Sequence, residues 1–226
     1  YKGKGFPSYY YTGGEVLGVA IEKDGEKDYI YFPCEKTEIE RALKRIGAGD
    51  ISECNKNIDF CGGDEEWEDY FNELLQKNDL ESVNAISSDI NCLGANLDAI
   101  SENLYKLSSV MEFAGVTTAD TEKVIQLAQN LDEFEYYREI GNDYNLGTKL
   151  IENEIGSAAE KIDDYIDYEK YAQDFLEENG GAYTKYGDVV YLRDDQSLSE
   201  ILGENEIKMG VTTSCKLQKN KRRSFY

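Results

Sequence analysis

Carboxylates are the reactive side chains this sequence supplies in quantity: 46 Asp and Glu stand against 24 Lys and Arg, and there is no His. Without His, the Ser–His and Cys–His nucleophile systems are excluded. Cys34, Cys54, Cys61, Cys92 and Cys215 form no CxxC pair and have wide, irregular gaps, so no zinc site is expected. They read instead as reduced thiols of a cytoplasmic protein. No P-loop motif occurs, and Gly3, Gly5, Gly13 and Gly14 lack the dinucleotide-binding spacing. Two carboxylates in a defined cleft can hydrolyse a glycoside, and clustered ones can hold Mg²⁺ in a nuclease. Here acids are so numerous that no single pair is informative. A nuclease must also hold DNA, and basic patches are scarce before residue 208. Asp143-Tyr144-Asn145 opens like a calcium loop, with Glu154 at its twelfth position. Gly147, however, sits at the fifth position rather than the sixth, and the stretch reads as helix. The expectation is a protein that is not an enzyme, with no catalytic residue, no metal and no cofactor.

What remains is chemistry by attraction. The net charge is −22 and the pI about 4.3. Such a chain repels nucleic acid and anionic lipid, so its partners are cations or basic protein surfaces. Disorder is disfavoured by 18 Tyr, 8 Phe and 1 Trp and by only 2 Pro. The charge is also unevenly spread. Residues 131–206 carry 21 acids and 6 bases, a net charge of −15, whereas residues 208–226 carry 6 bases and no acid. On a helix, acids three or four residues apart lie about 4.5–6 Å apart along the axis. Duplex DNA presents one charge per about 1.7 Å of axis over both strands, a density that several acidic helices together approach. Like charges so close together cost stability. The candidate contact residues are Glu133, Glu135, Asp143, Glu152, Glu154, Asp163, Asp164, Glu169, Asp174, Glu177 and Glu178. Taken singly, each reads as a solvated surface group; the array carries the reading.

The elements that must hold this array are legible in part. Val16–Ile21 and Tyr29–Phe32 flank a Lys23-Asp24-Gly25-Glu26 turn, a hairpin signal. Thr37 and Glu40 match a capping box for a helix running to Ile46, with Gly47 after it. Residues 47–63 are poorly patterned. Asp64 caps a helix with Trp67, Phe71, Leu74 and Leu75 on one face. Residues 79–97 are ambiguous: Val83, Ala85 and Ile90 leave a short strand open. Helices are predicted over 99–113, 120–131, 144–155 and 168–178, the last opened by Asp167, with Tyr168, Tyr171 and Phe175 inward. A second hairpin turns at Tyr186-Gly187-Asp188, and 198–202 reads as one helical turn. The fold class is α+β, an elongated multi-domain chain. Its expected units are an N-terminal α/β unit (1–63), a mainly helical centre (64–141), an acidic C-terminal α/β unit (142–206) and a basic tail (207–226). No run is long and apolar enough to span a membrane. The first residue is Tyr1 rather than Met, which leaves a trimmed start open.

An ordered series of segments resembles the ArdA antirestriction proteins. It comprises Asn130–Tyr137, Asp143–Gly147, Ile151–Gly156 and Ile162–Asp174, followed by Val189-Val190-Tyr191. Tyr31-Phe32-Pro33 and Leu97–Leu104 are similar to the family's N-terminal unit and middle helices. The resemblance is good over 97–193 and partial over 15–50. Two places depart from it: Ala158-Ala159 stands where Pro is usual, and Gln173 where Arg is usual. The resemblance implies a curved acidic rod of three small domains, carried by a mobile element or phage. It implies mimicry of bent duplex DNA and occupation of the DNA-binding groove of a type I restriction–modification enzyme. It also implies a homodimer, with Ile151, Ile155, Gly156, Ala158 and Ala159 as the interface segment. Two alternatives stay open: inhibition of a CRISPR or nuclease complex through a non-mimic interface, and a small metal-dependent enzyme.

Overall fold

A computed structural model of the chain describes residues 14–156, 165–193 and 196–203. Among the described residues, two small antiparallel sheets and eight α-helices make a mixed α+β structure. The first sheet has the order β2-β1-β3, from β1 (Leu17–Lys23), β2 (Glu26–Phe32) and β3 (Asn55–Cys61). Asp24 and Gly25 join β1 to β2 with φ of 52° and 83°, the left-handed pair that a tight hairpin turn requires. The register pairs Leu17 with Phe32 and Val19 with Ile30, so Leu17, Val19 and Ile21 share one buried face with Ile30 and Phe32. β3 was not foreseen. Its alternation of exposed and half-buried residues is weak, and its partner β1 lies more than 30 residues earlier.

Helix α1 (Lys36–Arg45) begins one residue before Thr37, so the anticipated capping box does not form. Glu35 is the N-cap residue, and the Thr37 hydroxyl donates to Glu35 at 3.3 Å instead of accepting a helix N–H. The helix starts almost as soon as the chain leaves β2, which places Thr37 inside the first turn. Asp64 does cap α2 (Glu65–Gln76), accepting from the Trp67 N–H at 3.2 Å. Residues 80–93 are helical throughout (α3, Leu80–Leu93), which overturns the strand reading. The inward residues are Val83, Ile86, Ser87 and Ile90, spaced three, four and seven from the first. Helices α4 (Leu97–Ala114) and α5 (Thr121–Gln129) bury Ile100, Leu104, Leu107, Val124 and Leu127 as their periodicity predicts. These elements share one apolar core that runs from Val16 to Leu202.

The second sheet has the order β4-β6-β5, from β4 (Phe134–Tyr137), β5 (Ala182–Tyr183) and β6 (Val189–Leu192). The turn at 186–188 closes the β5–β6 hairpin as expected, while β4 arrives from far earlier in the chain. Between β4 and β5 lie α6 (Asp143–Ile155) and α7 (Tyr168–Asn179), packed on each other over a smaller core of Leu146, Leu150, Ala172 and Val189. A final turn, α8 (Leu198–Ile201), buries Ile201 and Leu202 in the main core. Cys34, Cys54, Cys61 and Cys92 are free thiols.

Candidate protein-binding surface

The acidic helices are built by ordinary means. The Asn142 side chain accepts from the Asn145 N–H at 2.9 Å and starts α6; Asp167 accepts from the Lys170 N–H at 3.0 Å and starts α7. Gly180, with φ of 63°, ends α7 in the left-handed conformation. The two helices meet at Gly147, where a Cβ would overlap the backbone carbonyl of Tyr168. Only glycine permits that approach. On α7, Tyr168 and Ala172 are buried and Tyr171, Phe175 and Leu176 half-buried, so one stripe faces inward. Glu169, Asp174, Glu177 and Glu178 fall outside that stripe and are exposed. On α6, Glu152 and Glu154 are exposed as well.

The candidate acids fall into three groups. Glu135 and Asp174 are neutralised within the chain: Arg193 Nε lies 2.7 Å from Glu135, and Lys170 Nζ lies 2.7 Å from Asp174. Glu154 and Asp143 are held by neutral donors. The Tyr171 hydroxyl donates to Glu154 at 2.7 Å; Tyr183 OH and Gln173 Nε2 donate to Asp143 at 2.9 and 2.8 Å. The bond to Glu154, with some burial, pushes the Tyr171 hydroxyl up to about 12. Burial, then the bond to Asp143, raises Tyr183 further. Both phenols therefore remain donors at neutral pH, fixing the carboxylates in place without cancelling their charge. Gln173 does the same, where a cation would have neutralised Asp143. Glu133, Glu152, Glu169, Glu177 and Glu178 make no ion pair among the described residues. Glu133 is half-buried and the other four are exposed. Asp163 and Asp164 lie outside the described residues. Pairing cannot empty the surface of charge in any case: one carboxylate for every Lys and Arg would still leave 22 acids over.

Of the segment assigned to a dimer contact, Ile151 is buried within its own chain against Tyr168, with Ile166 and Tyr171 alongside. Ile155 and Gly156 are exposed, and Ala158 and Ala159 lie outside the described residues. Tyr144 and Tyr165 are exposed near α7, at 52% and 88%, and border a cleft with Tyr168.

Sequence reasoning missed Asp188, which organises the join between the central helices and the second sheet. The residue is 4% exposed and has no basic partner among the described residues. It accepts from Ser109 Oγ at 2.6 Å, from Tyr136 OH at 3.2 Å and from the Glu139 N–H at 2.7 Å. The turn it occupies was legible; its partners, 79, 52 and 49 residues away, left no local signal. No group of carboxylates and thiols among the described residues is placed to hold a metal ion. No described helix is long and apolar enough to cross a membrane.

Comparison with protein families gives a match to the family described as antirestriction protein (ArdA) over residues 25–190. Comparison with curated proteins and with solved structures gives no match.

Proposed function

The chain belongs to the ArdA family of antirestriction proteins, and from that premise we propose that it inhibits a type I restriction–modification enzyme by occupying its DNA-binding groove. The observation that carries the reading is the treatment of charge on α6 and α7. Carboxylates are exposed along both helices, and exposed Glu154 and half-buried Asp143 are fixed by phenol and amide donors that leave their charge intact. A surface that only needed solubility would have no use for ordered acids. A groove evolved for phosphates is lined with Lys and Arg and attracts such a surface strongly at low salt. The membership supports reading the chain as an inhibitor rather than a catalyst. In this reading it acts in the bacterial cytoplasm, where its target meets DNA, and works as a homodimer whose contact lies near Ile155 and Gly156.

The test is competition. The purified chain is added to a type I methyltransferase core bound to a labelled duplex, and release of the duplex is followed at 50 and 300 mM salt. Release at low salt that fades steeply at high salt is expected. Changing Glu169, Glu177 and Glu178 together to Gln should raise the concentration needed for half-release about tenfold or more, at unchanged folding. No release at low salt would sink the proposal. Release indifferent to salt would move the mechanism to an uncharged interface, for which exposed Tyr144 and Tyr165 are the candidates.

A further inference from the structure

A cleft of about 470 Å³ opens between α2, the end of α4 and the β5–β6 turn, within the range of about 300–1,000 Å³ usual for ligand sites. Trp67, Tyr70, Met111 and Tyr186 contribute its walls. The polar atoms of the first two are already engaged. The Trp67 indole N–H donates to Leu104 O at 3.1 Å and Ser108 Oγ at 2.9 Å, and Tyr70 OH lies 3.2 Å from Thr121 Oγ1. At these two rings the wall therefore offers carbon rather than a free donor.

The rim offers acceptors. Glu66 Oε2 takes a hydrogen bond from Tyr186 OH at 2.9 Å, and Glu112 Oε1 takes one from the Lys185 N–H at 2.7 Å. The second oxygen of each carboxylate has no hydrogen bond among the described residues. Both carboxylates are thus pinned at the cleft mouth by the hairpin tip, with acceptor capacity to spare. One cation is present already: Lys185 Nζ sits 4.6 Å from the centroid of the Tyr186 ring. Two carboxylates and one ammonium leave the rim one charge short of neutral.

We propose that this cleft receives an arginine side chain of the partner protein. A planar guanidinium stacks on the exposed Tyr186 ring, above the buried Trp67, and forks to the free oxygens of Glu66 and Glu112. Lys185 holds the place until the partner's arginine displaces it from the ring. The inference deepens the function proposed above and shares its premise of a basic partner, but concerns a surface distinct from α6 and α7.

The chain's one tryptophan lies in the cleft wall, so its fluorescence reports on this site. The full chain is titrated with acetyl-Gly-Arg-Gly-amide and with the same peptide carrying citrulline, which keeps the shape and loses the charge. A saturable change with arginine and none with citrulline is expected. E66Q and E112Q should each weaken binding about tenfold. K185A keeps both hairpin contacts, since they use the Lys185 backbone and the Tyr186 hydroxyl, and should tighten binding several-fold by removing the resident cation. Equal responses to arginine and citrulline, or a K185A chain that binds no more tightly, overturn the assignment. The peptide assay involves no restriction enzyme, so it can fail while duplex competition succeeds, and the reverse.

Discussion

At the residue scale the molecule depends on carboxylates that are not part of its outer charge. Asp188 is buried yet has three donors aimed at it, so its removal strands Ser109, Tyr136 and the Glu139 N–H. Asp188→Ala should cost about 3 kcal/mol in a urea melt. Asp89 on α3 is the opposite case. Its Oδ2 is buried without a hydrogen-bond partner among the described residues, and burial alone pushes its carboxyl up to about 6. The folded state thus binds that proton more tightly than the unfolded chain, whose carboxyl titrates near 3.9. The resulting penalty is absent below about pH 4, grows between pH 4 and 6 and is complete above pH 6. Asp89→Asn should therefore stabilise the fold by about 1 kcal/mol at pH 7, and the gain should vanish near pH 4. A gain that persists unchanged at pH 4 would remove the ionised carboxylate as its cause.

At the element scale the contact between α6 and α7 turns on one missing side chain. Gly147→Ala drives a methyl into the Tyr168 carbonyl, and the helices must separate. A loss of about 2–3 kcal/mol, with a lower thermal midpoint, is expected. Legibility followed the range of the interactions. The Asp24-Gly25 hairpin, the Asp64 cap and the Asp167 cap are written within four residues and could be read directly. Helix α3 carried its signal in Val83, Ile86 and Ile90, but reading Ala85 with Val83 suggested a period of two where Ile86 specified three and four. Strands β3 and β4 had no local signature because each is defined by a partner strand far along the chain. The candidate acids were legible as types and positions. Their division into those neutralised by Arg193 and Lys170 and those held by Tyr171, Tyr183 and Gln173 was not, since it depends on which helices touch.

At the scale of the whole molecule, charge sets two responses to salt of opposite sign. Residues 15–130 carry 25 acids and 10 bases, so the excess is −15 there as well as in 131–206. Such self-repulsion loosens the fold, and screening relieves it. Between 10 and 300 mM NaCl the unfolding free energy should rise by about 1 kcal/mol while affinity for a basic partner falls. Parallel changes in the two quantities would contradict an origin in long-range charge.

The order β4-β6-β5 also sets a timetable. β6 is the middle strand, and β4 is made more than 50 residues before it. During synthesis, Phe134–Tyr137 leaves the ribosome with no neighbour to bond and waits while both acidic helices are produced. Closure of this sheet is a late, long-range event, of the kind that slows folding. The acidic face is thus assembled after the α1–α5 region has been synthesised, and a ribosome stalled before Val189 would carry α6 and α7 with no finished sheet to seat them.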